Sequence, residues 1–124
     1  MRYMLFIKHT EDYRGKSVPP ALMKAMGEFV MPNIKSGKFI DAAGLMSTWR
    51  GKKVQLRQGR IHVVDGPFTE SKEIIGGYTL VEAASDEEAL ALARQFVELH
   101  RLHAPGMEVE CELRPLQTGA PGSE

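Results

Sequence analysis

A single cysteine, Cys111, occurs among the 124 residues, so no disulfide can close within the chain, which suits a reducing cytoplasm. Neither sign of charge dominates: sixteen Lys and Arg balance sixteen Asp and Glu. Without a basic excess to neutralise phosphates, a dedicated nucleic-acid binder is not expected. Long apolar runs are missing as well, and none approaches the roughly 18–20 residues of a membrane span. The apolar stretch at residues 3–7 is too short for the hydrophobic region of a signal peptide, and no small-residue cleavage site follows it. A soluble cytoplasmic protein is expected, with no membrane partner. Gly-x-Gly-x-x-Gly, Gly-x-x-x-x-Gly-Lys-Ser/Thr, Gly-x-Ser-x-Gly and His-Glu-x-x-His are all absent, so none of the chemistries they signal has support.

What is present is a composition for one core: 43% of residues are apolar and 26% charged. That excludes intrinsic disorder, collagen and a disulfide scaffold. The length fits a single domain over residues 1–115, with a Gly/Pro/Ser-rich tail at 116–124 expected to be flexible.

Hydrophobic periodicity divides the chain into eight segments. Residues 2–8 are almost continuously apolar, as in a strand covered on both faces. Pro19-Pro20 can open a helix, since the first helical position needs no amide donor. Leu22, Met26, Phe29 and Val30 then share one face, and Pro32 is expected to end or kink the helix before Gly37 closes it. A second strand runs from Lys38 to about Gly44. Residues 53–58 and 60–65 alternate apolar and polar around Gln58-Gly59, a hairpin pattern. After a charged loop at 65–73, a strand covers 75–84. Ser85 and Glu88 form a capping box, and the helix it opens carries Ala89, Leu92, Ala93, Phe96 and Leu99 on one face. It ends in a basic turn, His100 to His103, that complements the helix dipole. Val109, Cys111 and Leu113 alternate with Glu108, Glu110 and Glu112 in a final strand.

The order β-α-β-hairpin-β-α-β, with one apolar face per helix, predicts an α+β ferredoxin-like sandwich: an antiparallel sheet with two helices on one face. The other sheet face is then left with apolar side chains and no helix to cover them. A second copy is the economical cover, so a homodimer is expected.

Residues 65–78 read Asp65-Gly66-Pro67-Phe68-Thr69-Glu70-Ser71-Lys72-Glu73, then Gly76-Gly77-Tyr78. This segment resembles the signature of the YCII-related family, in particular its DGPF branch. The opening Tyr3-Met4-Leu5 and closing Glu112-Leu113-Arg114-Pro115 resemble the family's first and last strands. The resemblance implies a dimeric α/β barrel. It also implies a bacterial protein, and some relatives resemble chloromuconolactone dehalogenases, which implies acid/base chemistry without an organic cofactor if the protein is an enzyme. DGPF proteins often accompany extracytoplasmic-function sigma factors, which implies a possible protein partner and a regulatory role as the alternative to catalysis.

Two hypotheses follow. In the first, a cleft between the sheet and the 65–73 loop binds a small polar or acidic metabolite, with lyase-like or dehalogenase-like acid/base chemistry if the protein is an enzyme. Asp65 is then the general base or ligand anchor, or else a turn residue whose carboxylate accepts from the Gly-Pro turn. His9 is the second titrating group, and Lys72 or Arg114 holds an anionic end. Glu70 and Lys72 line one side of the loop, or form a solvated ion-pair surface. In the second hypothesis the charged loop and the hairpin, with Arg50, Lys52, Lys53, Arg57 and Arg60, contact another protein. Cys111 falls on the apolar parity of its strand, as a structural thiol would. His100 and His103, three apart on a helix, are two imidazoles without a third ligand. They are read as helix-end capping, and no metal or cofactor is expected. Trp49 is left open between a pocket mouth and a dimer contact.

Overall fold

The computed structural model describes residues 1–10, 18–69, 71 and 73–117. Four strands form an antiparallel sheet: β1 (Arg2–His9), β2 (Phe39–Gly44), β5 (Ile74–Glu82) and β6 (Val109–Pro115). Their order across the sheet is β2-β5-β1-β6. Between β2 and β5 the chain makes a short 3-10 turn at Thr48–Arg50 and then a separate two-stranded hairpin, β3 (Lys52–Arg57) and β4 (Arg60–Asp65). Helix α1 (Pro20–Lys35) connects β1 to β2, and α2 (Asp86–His103) connects β5 to β6. The fold is therefore α+β, two helices with an antiparallel sheet.

Side-chain alternation decides which residues meet the helices. Tyr3, Leu5 and Ile7 of β1 lie opposite Val81, Thr79 and Gly77 of β5, and all six are buried. The alternate positions, Met4, Phe6 and Lys8, face the other way and stay half-buried. The core joins Tyr3, Leu5, Ile7, Phe39 and Val81 of the sheet to Ala89, Leu92, Ala93 and Phe96 of α2. Phe29 anchors α1 there, edge-on to Phe96 at 4.9 Å and to Phe39 at 5.5 Å between ring centroids.

Helix α2 starts as its sequence demands. The Glu88 amide donates to Ser85 Oγ at 3.2 Å, and Glu88 Oε2 accepts from the Ala84 amide at 3.1 Å. Three acidic residues then occupy the first turn and a basic group follows in the last, both favourable to the dipole. In α1, by contrast, Pro32 neither ends the helix nor marks its limit; the helix runs one turn further, to Lys35. The missing Pro32 donor orphans a carbonyl on Glu28, and both residues are exposed, so water can satisfy it. The helix stops where Gly37, at φ +84°, takes the left-handed conformation. The hairpin turn is likewise dictated locally: Gln58 and Gly59 both have positive φ, as a tight two-residue turn requires.

Candidate functional site

Helix α1 covers its half of the sheet incompletely. Leu22 is its sole fully buried residue. Beneath it lies a cavity of about 440 Å³, bounded by Leu22, Met26 and Val30 above and Ile7 and the 76–79 segment of β5 below. Phe96, His100 and Met107 close it from the α2 side. Among the described lining residues there is no Asp, Glu, Lys or Arg. The polar groups at this cavity include His9, Thr79 and His100, and the last two are the buried polar residues of the described chain, at 3% and 4% exposure.

His9 ends β1 at the cavity's rim. Its Nδ1 lies 2.7 Å from the Thr10 carbonyl oxygen. A carbonyl can only accept, so Nδ1 carries the hydrogen and Nε2 is the ring's other nitrogen, without a hydrogen bond among the described residues. The ring sits over Gly76, where a Cβ would stand 2.1 Å from His9 Nε2. A β-bulge between Ile7 and Lys8 leaves Gly76 outside the regular pairing. Next door, a Cβ on Gly77 would crowd the Ala43 carbonyl oxygen at 3.1 Å. The two glycines thus make room for a histidine ring and for the β2 backbone.

Asp65 lies elsewhere. It ends β4 opposite Lys52, whose Nζ donates to its carboxylate at 2.6 Å, and both side chains are largely exposed. The amides after it are taken by the 3-10 turn: Gly66 donates to the Gly51 carbonyl at 2.9 Å, and Phe68 to Thr48 Oγ1 at 3.1 Å. Gly66 is pressed so closely on this turn that a Cβ would fall 1.5 Å from the Thr48 carbonyl oxygen. Phe68 is buried against Gly51, with Lys53 Nζ 4.3 Å above its ring. Much of the Asp-Gly-Pro-Phe segment therefore meets geometric demands of docking one loop on another. No hydrogen bond or ion pair joins Asp65 to His9.

A cleft between the sheet end and this loop is also present, about 610 Å³, with Arg50, Lys53 and Glu73 on an otherwise apolar and hydroxyl lining. Asp65 is not among the residues lining it. Arg114 is on the opposite, uncovered face of the sheet, exposed and 3.6 Å from Glu112. There Lys8 also pairs with Glu112, which raises the lysine's pKa and lowers the carboxyl's through the shared hydrogen bond. Glu70 and Lys72, and the tail from residue 118, lie outside the described residues. Cys111 is half-buried, and burial pushes its thiol up to about 11, so little reactive thiolate forms near neutrality.

The sequence assigned His100 to the helix end. In the structure its Nδ1 lies 2.8 Å from the Phe96 carbonyl oxygen, inside the packed face. The signal was in the spacing: 89, 92, 93, 96 and 100 form a single i, i+3, i+4 stripe, which Leu99 leaves by one position. No three His, Cys, Asp or Glu side chains among the described residues converge as a metal site, and no described helix is long and apolar enough to cross a membrane.

Comparison with known proteins agrees with the resemblance to the YCII-related family. The chain is similar, at 32% identity over 118 residues, to an uncharacterised protein of Rhizobium meliloti (strain 1021); the match covers 89% of this chain and 91% of the relative. The YCII-related domain matches residues 1–98, from β1 through most of α2. This chain belongs to the YCII-related domain family.

Proposed function

We propose that this protein binds a small, mainly apolar molecule in the cavity between α1 and the sheet, with His9 as the group able to move a proton at its rim. The observation that carries this reading is a cavity of about 440 Å³ that is apolar except for a few convergent polar heads, the usual anatomy of a small-molecule site. If the protein is an enzyme, cofactor-independent acid/base chemistry falls to His9, whose Nε2 is unencumbered by the Thr10 bond. Asp65, tied to Lys52 at the surface, then serves the hairpin's base. An acidic metabolite fits the loop cleft better, where Arg50 and Lys53 supply positive charge.

We further infer that the strand order is that of a ferredoxin-like sandwich whose open face pairs with a second copy into a dimeric α/β barrel. Met4, Phe6, Tyr78 and Leu80 occupy that face, rimmed by Lys8, Glu112 and Arg114. The regulatory alternative, docking on a protein of a sigma-factor-type transcription system, is favoured by one observation: Val54, Leu56, Ile61 and Val63 form two cross-strand pairs on the hairpin, each residue over 60% exposed.

Amide chemical-shift mapping with a library of monocyclic aromatic fragments decides between the two clefts. Shifts confined to Ala42–Leu45 and Gly76–Thr79 support the cavity under α1. Shifts confined to Thr48–Lys53 and Phe68 sink it in favour of the loop cleft. Light scattering on the full chain and on Phe6→Glu tests the dimer, which is expected for the former and lost in the latter.

A further inference from the structure

Two polar atoms at the cavity have no hydrogen-bond partner among the described residues. His100 spends Nδ1–H on the Phe96 carbonyl; in the neutral tautomer that this bond selects, Nε2 carries a lone pair. Thr79 carries a hydroxyl on the buried face of β5. Among the described residues neither His100 Nε2 nor Thr79 Oγ1 makes a hydrogen bond, yet no fully buried side-chain N or O there is left unsatisfied. Both atoms must therefore keep an accessible surface, although their residues are 4% and 3% exposed and both line the cavity. Polar atoms held in an apolar site without a partner cost stability, and a packed core of this kind would ordinarily replace or satisfy them.

We propose that this end of the cavity recognises a hydroxyl group on an apolar, ring-sized ligand: the ligand's O–H donates to His100 Nε2 while its oxygen accepts from the Thr79 hydroxyl. The inference rests on the reading of the cavity as a binding site and names its ligand chemistry. A carboxylate is disfavoured, since it would meet a lone pair and no described lysine or arginine at the cavity. A ketone could accept from Thr79 but would leave Nε2 unpaired. A hydroxyl carries both the donor that Nε2 lacks and an acceptor for Thr79. The methionines Met23, Met26 and Met107 give the remaining wall an adaptable apolar surface.

The test compares 4-ethylphenol with ethylbenzene, the same shape without the hydroxyl, by calorimetric titration and amide shifts of the full chain. The phenol is expected to bind roughly tenfold tighter, as one well-made hydrogen bond in an apolar site allows. Thr79→Val, which keeps the side chain's shape, and His100→Phe should each reduce that preference while leaving ethylbenzene binding in place. Should one variant fail to fold, the other decides. Equal affinity for the two probes, or a preference unchanged in the variants, overturns the hydroxyl assignment while the cavity reading stands. Binding of neither probe overturns both.

Discussion

Helix α2 buries Ala89, Leu92, Ala93, Phe96 and His100 against the sheet, whereas α1, only two residues shorter, buries Leu22 alone. The contrast begins at their first turns. α2 is capped by Ser85 and tied to β1 by Tyr3, whose hydroxyl donates to Asp86 at 2.6 Å. α1 opens on Pro19 with no side-chain cap and contains Gly27 and Pro32. One helix completes a core; the other roofs a cavity, held at its far end by Phe29. Two helices on one sheet face need not be equivalent, and the less well packed one roofs the cavity.

The largest effect that could break this contrast is a truncation on each helix. Leu92→Ala should cost about 2–5 kcal/mol in urea unfolding, because it empties a filled core and Leu92 does not border the cavity. Met26→Ala, beside space that already exists, should cost only about 1 kcal/mol or less. Comparable losses would mean that α1 is core after all. Next come the caps: Ser85→Ala should lower stability by about 1 kcal/mol, and Pro19→Ala should change little, since Pro19 makes no side-chain bond to α1. Gly27→Ala should instead raise stability by about 0.5–1 kcal/mol. A Cβ there meets nothing within 4 Å, so helix propensity is gained without a clash. A loss in thermal unfolding would show that α1 sits closer to the sheet than this. The subtlest difference is one of pH. The hydrogen bond to Asp86 raises the Tyr3 pKa to about 12 from its ordinary 10. The folded state holds that proton more tightly than the unfolded one. The stabilisation is therefore full below about pH 10 and lost as the pH climbs towards about 12. Tyr3→Phe should flatten that stretch of the stability curve; an unchanged slope would mean the bond does not couple α2 to β1.

Much of the architecture could be read from local pattern. The strands alternate, Gln58-Gly59 makes the turn, and Ser85 with Glu88 starts α2, because each depends on neighbours a few residues away. Pro32 misleads because a proline in the last turn of an exposed helix orphans one carbonyl that water can reach. The Asp-Gly-Pro-Phe pattern points to Asp65 as the functional group of its loop. Its glycine and phenylalanine answer to Thr48 and Gly51, residues of another segment whose approach no local pattern displays. His9 was singled out, but its relation to Gly76 depends on the pairing of β1 with β5, more than sixty residues apart in sequence.

The amino-acid order by itself determined the main secondary elements and their succession, since these rest on short-range periodicity and capping. Only the tertiary structure decided that α1 stands off the sheet, that His100 turns inward to Phe96, and that an apolar cavity opens between them. Packing density is a property of surfaces brought together from distant parts of the chain, so a cavity has no sequence signature of its own.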